Sequence, residues 1–381
     1  MEVYLDNSAT TRAYDDVIAL MCTVMQKDYG NPSSLHNKGV QAENHIKRAK
    51  EQIAKTLKIE TKEIFFTSGG TESDNLAIIG AAFANARAGK HLITTKVEHS
   101  AVISSMRYLE EQGFRVTYLD VDEQGSVCLE ELQHALCEDT ILVSIMYLNN
   151  EVGTVQPIQE AVQVVKTYNP NILFHTDAVQ GYGKYRIYPK KLGIDFLSIS
   201  AHKIHGPKGI GALYSVNGAK LRPLVFGGGQ QKNIRPGTEN VPGIAGFGLA
   251  AEKIHTELDT KTDKMQCLKE QFIAGLRKLE DTLVHVEDGA PHIISVGFAG
   301  IKSEVLLHTL EEAGIFVSSG SACASNHTEV SKVLGAMKVD AKYLDATLRF
   351  SLSEFTTPQE IDYTLETLYN YVPMLRKYTR Y

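Results

Sequence analysis

An α/β fold, with a mainly parallel sheet and a smaller α+β unit behind it, is what this sequence predicts. Three observations carry that expectation. From Ile64 onward, short apolar runs alternate with helical periodicities of about ten or more residues, the pattern of βαβ units. Two of the runs, residues 172–174 and 196–199, read as buried strands. They end in residues a core does not accept, Asp177 after the first and His202-Lys203 after the second. Beyond a Gly/Pro-rich stretch over residues 227–243, the remaining runs read as a separate, smaller unit.

Taken in order, the chain opens on an extended arm with a short strand at Val3-Tyr4-Leu5 and a turn at Asp6-Asn7-Ser8. Residues 15–25 have helical periodicity with Asp15 as N-cap. A Gly-Asn-Pro-Ser-Ser loop leads to a long helix over residues 37–57, whose Glu43, Lys47, Arg48, Glu51 and Lys55 make a solvated face. Then come strand IFFTS, a helix to Arg87, strand HLITT, a helix through Leu109, strand RVTYLD, a helix over 130–136, strand ILVSIMYL and a helix over 158–168. After the Gly/Pro-rich loop, one helix is expected from about Pro242 past Leu258 towards Leu279, at the hinge between domains. PHIISVGF, KSEVLLHTLEEAG, IFVSSGSACAS, TLRFSLSE and PQEIDYTLETLYNYVPMLRK supply the smaller unit, with which the arm packs. The expected division is residues 15–255 as the large domain and 256–381, with the arm 1–14, as the small one.

Composition narrows the function classes. With 381 residues, 43% hydrophobic and 22% charged, the chain has ample material for a large core and an ordinary soluble surface. A net charge of -6 and the lack of any Lys/Arg run argue against nucleic-acid binding. Nothing at the start reads as a secretory signal, and no run approaches the ~18 apolar residues of a membrane span. The five cysteines (Cys22, Cys128, Cys137, Cys267 and Cys323) have neither CxxC nor metal-ligand spacing, so no metal site is expected. Most of them are expected to be small buried hydrophobes in a cytoplasmic, disulfide-free protein.

A carboxylate and a lysine at neighbouring strand ends are what pyridoxal 5'-phosphate (PLP) chemistry needs. The amine forms a Schiff base, and the carboxylate keeps the ring nitrogen protonated so that the ring acts as an electron sink. In Thr67-Ser68-Gly69-Gly70-Thr71-Glu72, a strand gives way to a helix, so Gly70 and Thr71 can offer a phosphate site at the positive helix end; the plain alternative is a tight turn capped by Thr71. His99 is either a helix cap or a ring that stacks on the cofactor and shuttles protons. Asn149-Asn150-Glu151 is either an Asx turn or places Asn150 on the cofactor or a substrate carboxylate. Gln180, three residues after Asp177, can reach a ring hydroxyl. Arg349 is a snorkelling edge residue or a carboxylate clamp. Cys323, set among Ser, Gly and Ala, is placed for a thiolate that must reach a substrate.

Together these stretches resemble the cysteine desulfurases, a branch of the class V, fold-type I PLP-dependent enzymes. The resemblance runs through YLDNSATT, GNPSSLH, TSGGTESDNLAI, VEHSAV, NNEVGTVQPI, HTDAVQ, SISAHKIHGPKGIGAL, GGGQ, RPGTEN, SSGSACAS and RFSLSEFTT, and so covers nearly the whole chain. It implies a large domain with a mainly parallel seven-stranded sheet, and a small C-terminal α+β domain carrying the cysteine loop. It implies that Lys203 holds PLP covalently, Asp177 pairs with the ring nitrogen, Gln180 with the ring oxygen, and His99 stacks on the ring. Gly70, Thr71, Ser200 and His202 would bind the phosphate, with Thr238 reaching the phosphate of a neighbouring subunit in a homodimer with shared active sites. Asn150 and Arg349 would hold the carboxylate of L-cysteine, and Cys323 would take its sulfur as a persulfide, leaving alanine. His99 and Lys203 would carry the protons. An iron–sulfur scaffold or a thiolation enzyme would accept the sulfur. Two departures, the absence of a Pro before the Ser331-Lys332-Val333-Leu334 run and the ending RKYTRY without a long tail, leave that acceptor open. The rival readings are a selenocysteine lyase, a class V aminotransferase and a non-catalytic interaction subunit.

Overall fold

The computed structural model describes residues 1–319 and 331–378, so Cys323 lies outside the described residues. The arm holds β1 (Val3–Tyr4). The central sheet is built from β2 (Ile64–Thr67), β3 (His91–Thr95), β4 (Arg115–Leu119), β5 (Thr140–Ser144), β6 (Leu173–Asp177), β7 (Phe196–Ser200) and β8 (Gly211–Ser215). Its order is β2-β8-β7-β6-β5-β3-β4. The five strands from β7 to β4 are parallel, and β8 runs antiparallel to both of its neighbours. This is the expected seven-stranded, mainly parallel sheet. Every residue of β3, β5, β7 and β8 is buried, which explains why these runs carry no Asp, Glu, Lys or Arg on either face.

Helices α1 (Asp15–Lys27), α2 (Asn37–Leu57), α3 (Gly70–Asn85), α4 (Ser100–Glu111), α5 (Leu129–Ala135), α6 (Ile158–Tyr168), α7 (Pro189–Leu192) and α8 (Val241–His255) accompany the sheet. In α2, residues Ala42, Ile46, Ala49, Ile53 and Leu57 recur every three or four positions and are buried. They share one core with β2, β5, β6, β7 and the apolar face of α8.

The second sheet is antiparallel, in the order β12-β13-β10-β9, with β9 (Thr282–Val284), β10 (Ile293–Phe298), β12 (Ser318–Ser319) and β13 (Thr347–Ser351). β11 (Ile315–Phe316) pairs in parallel with β1. Helices α9 (Leu258–Leu276), α10 (Ser303–Glu312), α11 (Lys332–Ala336), α12 (Ala341–Leu344) and α13 (Pro358–Tyr378) complete this part. Its separate core takes Val3 and Leu5 from the arm together with Phe272, Phe298, Ile315 and Phe350. A smaller cluster joins the two parts, setting Val97, Met146 and Val152 against Val286, Val333 and Leu334.

Four expectations are corrected. The single helix expected from 242 towards 279 is two, α8 and α9, separated by extended Thr256 and by Glu257 at φ 55°. The apolar faces demand it, since α8 belongs to the first core and α9, through Met265, Leu268 and Phe272, to the second. Asp15 does not cap α1; Tyr14 holds that position without a side-chain bond, and Asp15 lies in the first turn, where its charge suits the helix dipole. Thr71 does not cap α3, which starts at Gly70 after Gly69. Cys22, Cys128 and Cys267 are exposed instead of buried, and Cys137 is intermediate; all four are free thiols.

Candidate active site

Ligands of open parallel sheets sit beyond the carboxyl ends of the strands. Here the ends of β6 and β7, together with the start of α4, open on a cavity of about 780 Å³. Gly70, Thr71, His99, Asn150, Asp177, Gln180, His202, Lys203 and Arg349 all line it. A neighbouring hollow of about 410 Å³ shares Gly70, Thr71 and His202 with it and adds Ser200. Thr238 is exposed and lines neither.

The hollow lies at the N-terminus of the 16-residue α3. Thr67 Oγ1 bonds Ser73 Oγ at 2.7 Å and the Gly69 carbonyl at 3.0 Å, which fixes the turn between β2 and α3. A Cβ on Gly70 would stand 2.6 Å from Val179 Cγ2, so only glycine lets this turn come so close to the end of β6. Ser200 Oγ is buried with no hydrogen-bond partner among the described residues. Burial, Lys203 and Lys208 lower His202 to about 4, so its ring is neutral at pH 7. Helix-end N–H groups, hydroxyls and a neutral imidazole are a donor set suited to a phosphate.

At the other end, Asp177 terminates β6, buried, and accepts a hydrogen bond from the Val179 N–H at 2.9 Å. His99 caps α4 through Nδ1, which accepts from the Ala101 N–H at 3.1 Å; this places the ring proton on Nε2. The capping reading of His99 therefore holds, and the capped ring still lines the cavity. One ligand-type atom each from Asp74, His99 and Asp177 lie within 4.8 Å of one another. Burial pushes Asp177 up, while His99 and Lys203 pull it down. Burial and the Asp177 charge push Asp74 well above the carboxylate range, and burial pushes Glu98 up to about 8. Asp177, the one of these three acids with the Lys203 ammonium pulling it down, is therefore the one suited to carry the negative charge. Below it His175 bridges Ser144 Oγ at 2.8 Å and Ser198 Oγ at 3.0 Å, its pKa lowered by burial to about 3.

Lys203 follows β7 on a short 3₁₀ turn, Ala201–Lys203. Its Nζ donates to the carbonyls of Ser8 and, at 2.9 Å, of Ala9. Gln180 Nε2 donates to the same Ser8 carbonyl at 2.9 Å. In the 149–152 turn, Asn149 makes the Asx turn, accepting from the Glu151 and Val152 N–H groups at 2.9 and 3.0 Å. That leaves Asn150 on the cavity wall. Arg349 enters from β13, its side chain only 6% exposed, and donates from Nη1 to the Asn150 carbonyl at 2.9 Å and from Nη2 to Asp6 at 2.9 Å. The snorkelling reading is excluded, because the guanidinium points inward.

Sequence reasoning missed Asp6, Ser8, Asp74 and Glu98. Asp74 and Glu98 stand among polar neighbours, in Thr71-Glu72-Ser73-Asp74-Asn75 and Lys96-Val97-Glu98-His99, so nothing local marks them for burial. Asp6 and Ser8 also had no signal, since their partners lie roughly 170 to 350 residues away.

The residues present fit PLP. Phosphate donors surround one end, a buried carboxylate marks the other, and a lysine and a histidine stand between them. A family model of class-V aminotransferases matches residues 3–364. A cysteine desulfurase IscS of Dictyoglomus turgidum is 44% identical over 383 residues, covering 100% of this chain and 97% of that protein. One of Methanosarcina thermophila is 45% identical, covering 98% of this chain and 93% of the relative. The solved structure of a NifS-like protein superposes with a TM-score of 0.93 at 41% identity, over 98% of this chain and 100% of its own. With sequence, fold and cavity in agreement over its full length, the chain belongs to the cysteine desulfurase family of class-V aminotransferases.

Proposed function

We propose that this chain converts L-cysteine to L-alanine and passes the sulfur to its own Cys323, with PLP bound at the ends of β6 and β7. The observation that carries the reading is the convergence of Asp177, His99 and Lys203 from one part of the fold with Arg349 from the other in one cavity. When bound, PLP supplies an electron sink that makes the substrate's α-proton removable. Asp177 would hold a proton on the ring nitrogen, and Gln180 would pair with the ring oxygen. Gly70, Thr71, Ser200 and His202 would hold the phosphate. Arg349 and Asn150 orient the substrate carboxylate. Lys203 moves the proton at the α-carbon, and His99 Nε2 exchanges one with the substrate thiol.

The Cys323 thiolate then attacks the substrate sulfur. An S–S bond forms, the Cβ–S bond breaks, and its electron pair stays with carbon, which takes up a proton to give alanine. The balance is L-cysteine plus protein thiol to L-alanine plus protein persulfide, with no external oxidant. The persulfide supplies an acceptor protein in iron–sulfur cluster assembly or in thiolation of a cofactor or tRNA. We place the protein in the cytoplasm as a homodimer, with Thr238 completing the neighbour's phosphate site. Residues 15–255 form the cofactor-binding domain; 256–381 with the arm 1–14 form the domain bearing Cys323. Among the described residues no helix is long and apolar enough to cross a membrane.

Cys323→Ser tests this reading. Serine is a far weaker nucleophile near neutral pH and cannot form a persulfide. L-cysteine should still change the absorbance of the bound cofactor, while alanine release and protein-bound persulfide are lost. Near-normal alanine release would remove Cys323 from the reaction. Turnover kept only on selenocysteine would establish the lyase instead, and an amino group passed to a keto acid would establish the aminotransferase.

A further inference from the structure

We propose that Asp6 is a positioning residue for substrate selection. Its carboxylate fixes the plane of the Arg349 guanidinium, and so sets how strongly the enzyme prefers an α-amino acid to an amine of the same shape without the carboxylate. The inference rests on the reading of Arg349 as the carboxylate clamp.

Arg349 sits on the central strand of its sheet region, paired with Ser295 on one side and Ser318 on the other. Its Nε is buried with no partner among the described residues, while Nη2 is held by Asp6 at 2.9 Å and Nη1 by a backbone carbonyl. A guanidinium buried without a counter-charge is costly, and a single carbonyl leaves its plane free to rotate. Asp6 meets both needs from behind, because it does not line the cavity that Arg349 lines.

Asp6 is itself fixed. It bridges to Ser351, two residues along β13 and therefore on the same face as Arg349. The next residues lock that register: Asn7 Nδ2 donates to the Ser351 carbonyl at 2.9 Å, and the Ser8 N–H donates to Ser351 Oγ at 2.8 Å. The carbonyls of Ser8 and Ala9 then hold the Lys203 amine. One four-residue stretch thus ties the carboxylate clamp and the reactive lysine to the same backbone. The gap between them becomes a fixed length, suited to a substrate whose amine and carboxylate share one carbon.

The test follows binding to the holoenzyme by cofactor absorbance, with L-cysteine and with cysteamine, which keeps the amine and thiol but lacks the carboxylate. In Asp6→Asn and Asp6→Ser the apparent Kd for L-cysteine should rise about tenfold while that for cysteamine stays within about twofold, the size expected for losing a charge-assisted hydrogen bond. Equal weakening of both ligands would mean that the arm is merely structural, and overturns the proposal. So would unchanged discrimination, or failure of both variants to fold. Arg349→Lys separates the two readings. If it keeps discrimination, the clamp assignment itself is wrong; if it loses discrimination and the Asp6 variants do not, only the role of Asp6 fails.

Discussion

Glu98 Oε1 accepts hydrogen bonds from Thr95 Oγ1 at 2.8 Å and the Met146 N–H at 2.9 Å, while Oε2 is buried without a partner among the described residues. Burial holds its pKa at about 8, against an ordinary 4.5. Between those values the folded chain binds a proton that the unfolded chain has released, so Glu98 withdraws stability as pH rises from 4.5 to 8. Glu98→Gln keeps the two hydrogen bonds to Oε1 and cannot ionise. Relative to wild type it should gain about 1–3 kcal/mol between pH 5 and pH 8.5, read as a widening Tm difference in scans of the two proteins side by side. A constant difference would mean that Glu98 titrates normally. At this scale the sequence was legible where a residue type announces chemistry, as with Asp177, Lys203 and Arg349. It was silent for Ser8, which contributes a backbone carbonyl and nothing from its residue type.

Between β8 and the turn before α3, packing leaves no room for a side chain. A Cβ on Gly211 would stand 2.7 Å from the Gly69 backbone and 2.7 Å from the Ile199 carbonyl. These are backbone atoms, so the turn or the strand must move. Gly211→Ala should cost roughly 1–3 kcal/mol of stability and loosen the phosphate end of the cavity. The check is a lower Tm together with faster loss of cofactor on dilution, and a variant that loses stability while retaining cofactor normally would separate the two. Elements were legible where their local pattern is regular: α2 and α6 bury residues at helical spacing and match the expected bounds, and so does β3, a short run without charged residues. The break after α8 was not, because Thr256-Glu257 carries neither Gly nor Pro. It arises from a change of core, which local pattern does not contain. The strand expected over ILVSIMYL ends at Ser144 for a related reason, since the chain beyond it turns to carry Asn150 to the cavity.

On the scale of the whole molecule, Thr238 is exposed and lines neither hollow of its own chain, whereas the resemblance assigns it to a phosphate. The proposed shared site between two subunits would reconcile the two. Lys203→Ala and a Thr238 variant, each inactive alone and shown to exchange subunits, should on mixing regain roughly a quarter of wild-type activity. A statistical mixture makes about half its dimers mixed, and each of those has one intact and one doubly impaired site. No gain would count against sharing. The hydrogen bond from Asn7 to Ser351 has a different consequence, for time instead of space. It joins residues 344 apart in the chain. Because synthesis runs from the N-terminus to the C-terminus, the stretch that grips Lys203 is made long before β13, the strand on which it seats. The large sheet can form earlier, but its lysine has no grip until β13 emerges. A nascent chain that has not yet reached β13 therefore has the strands of the large sheet without its working centre, and the reactive amine is put in place only after β13 is made.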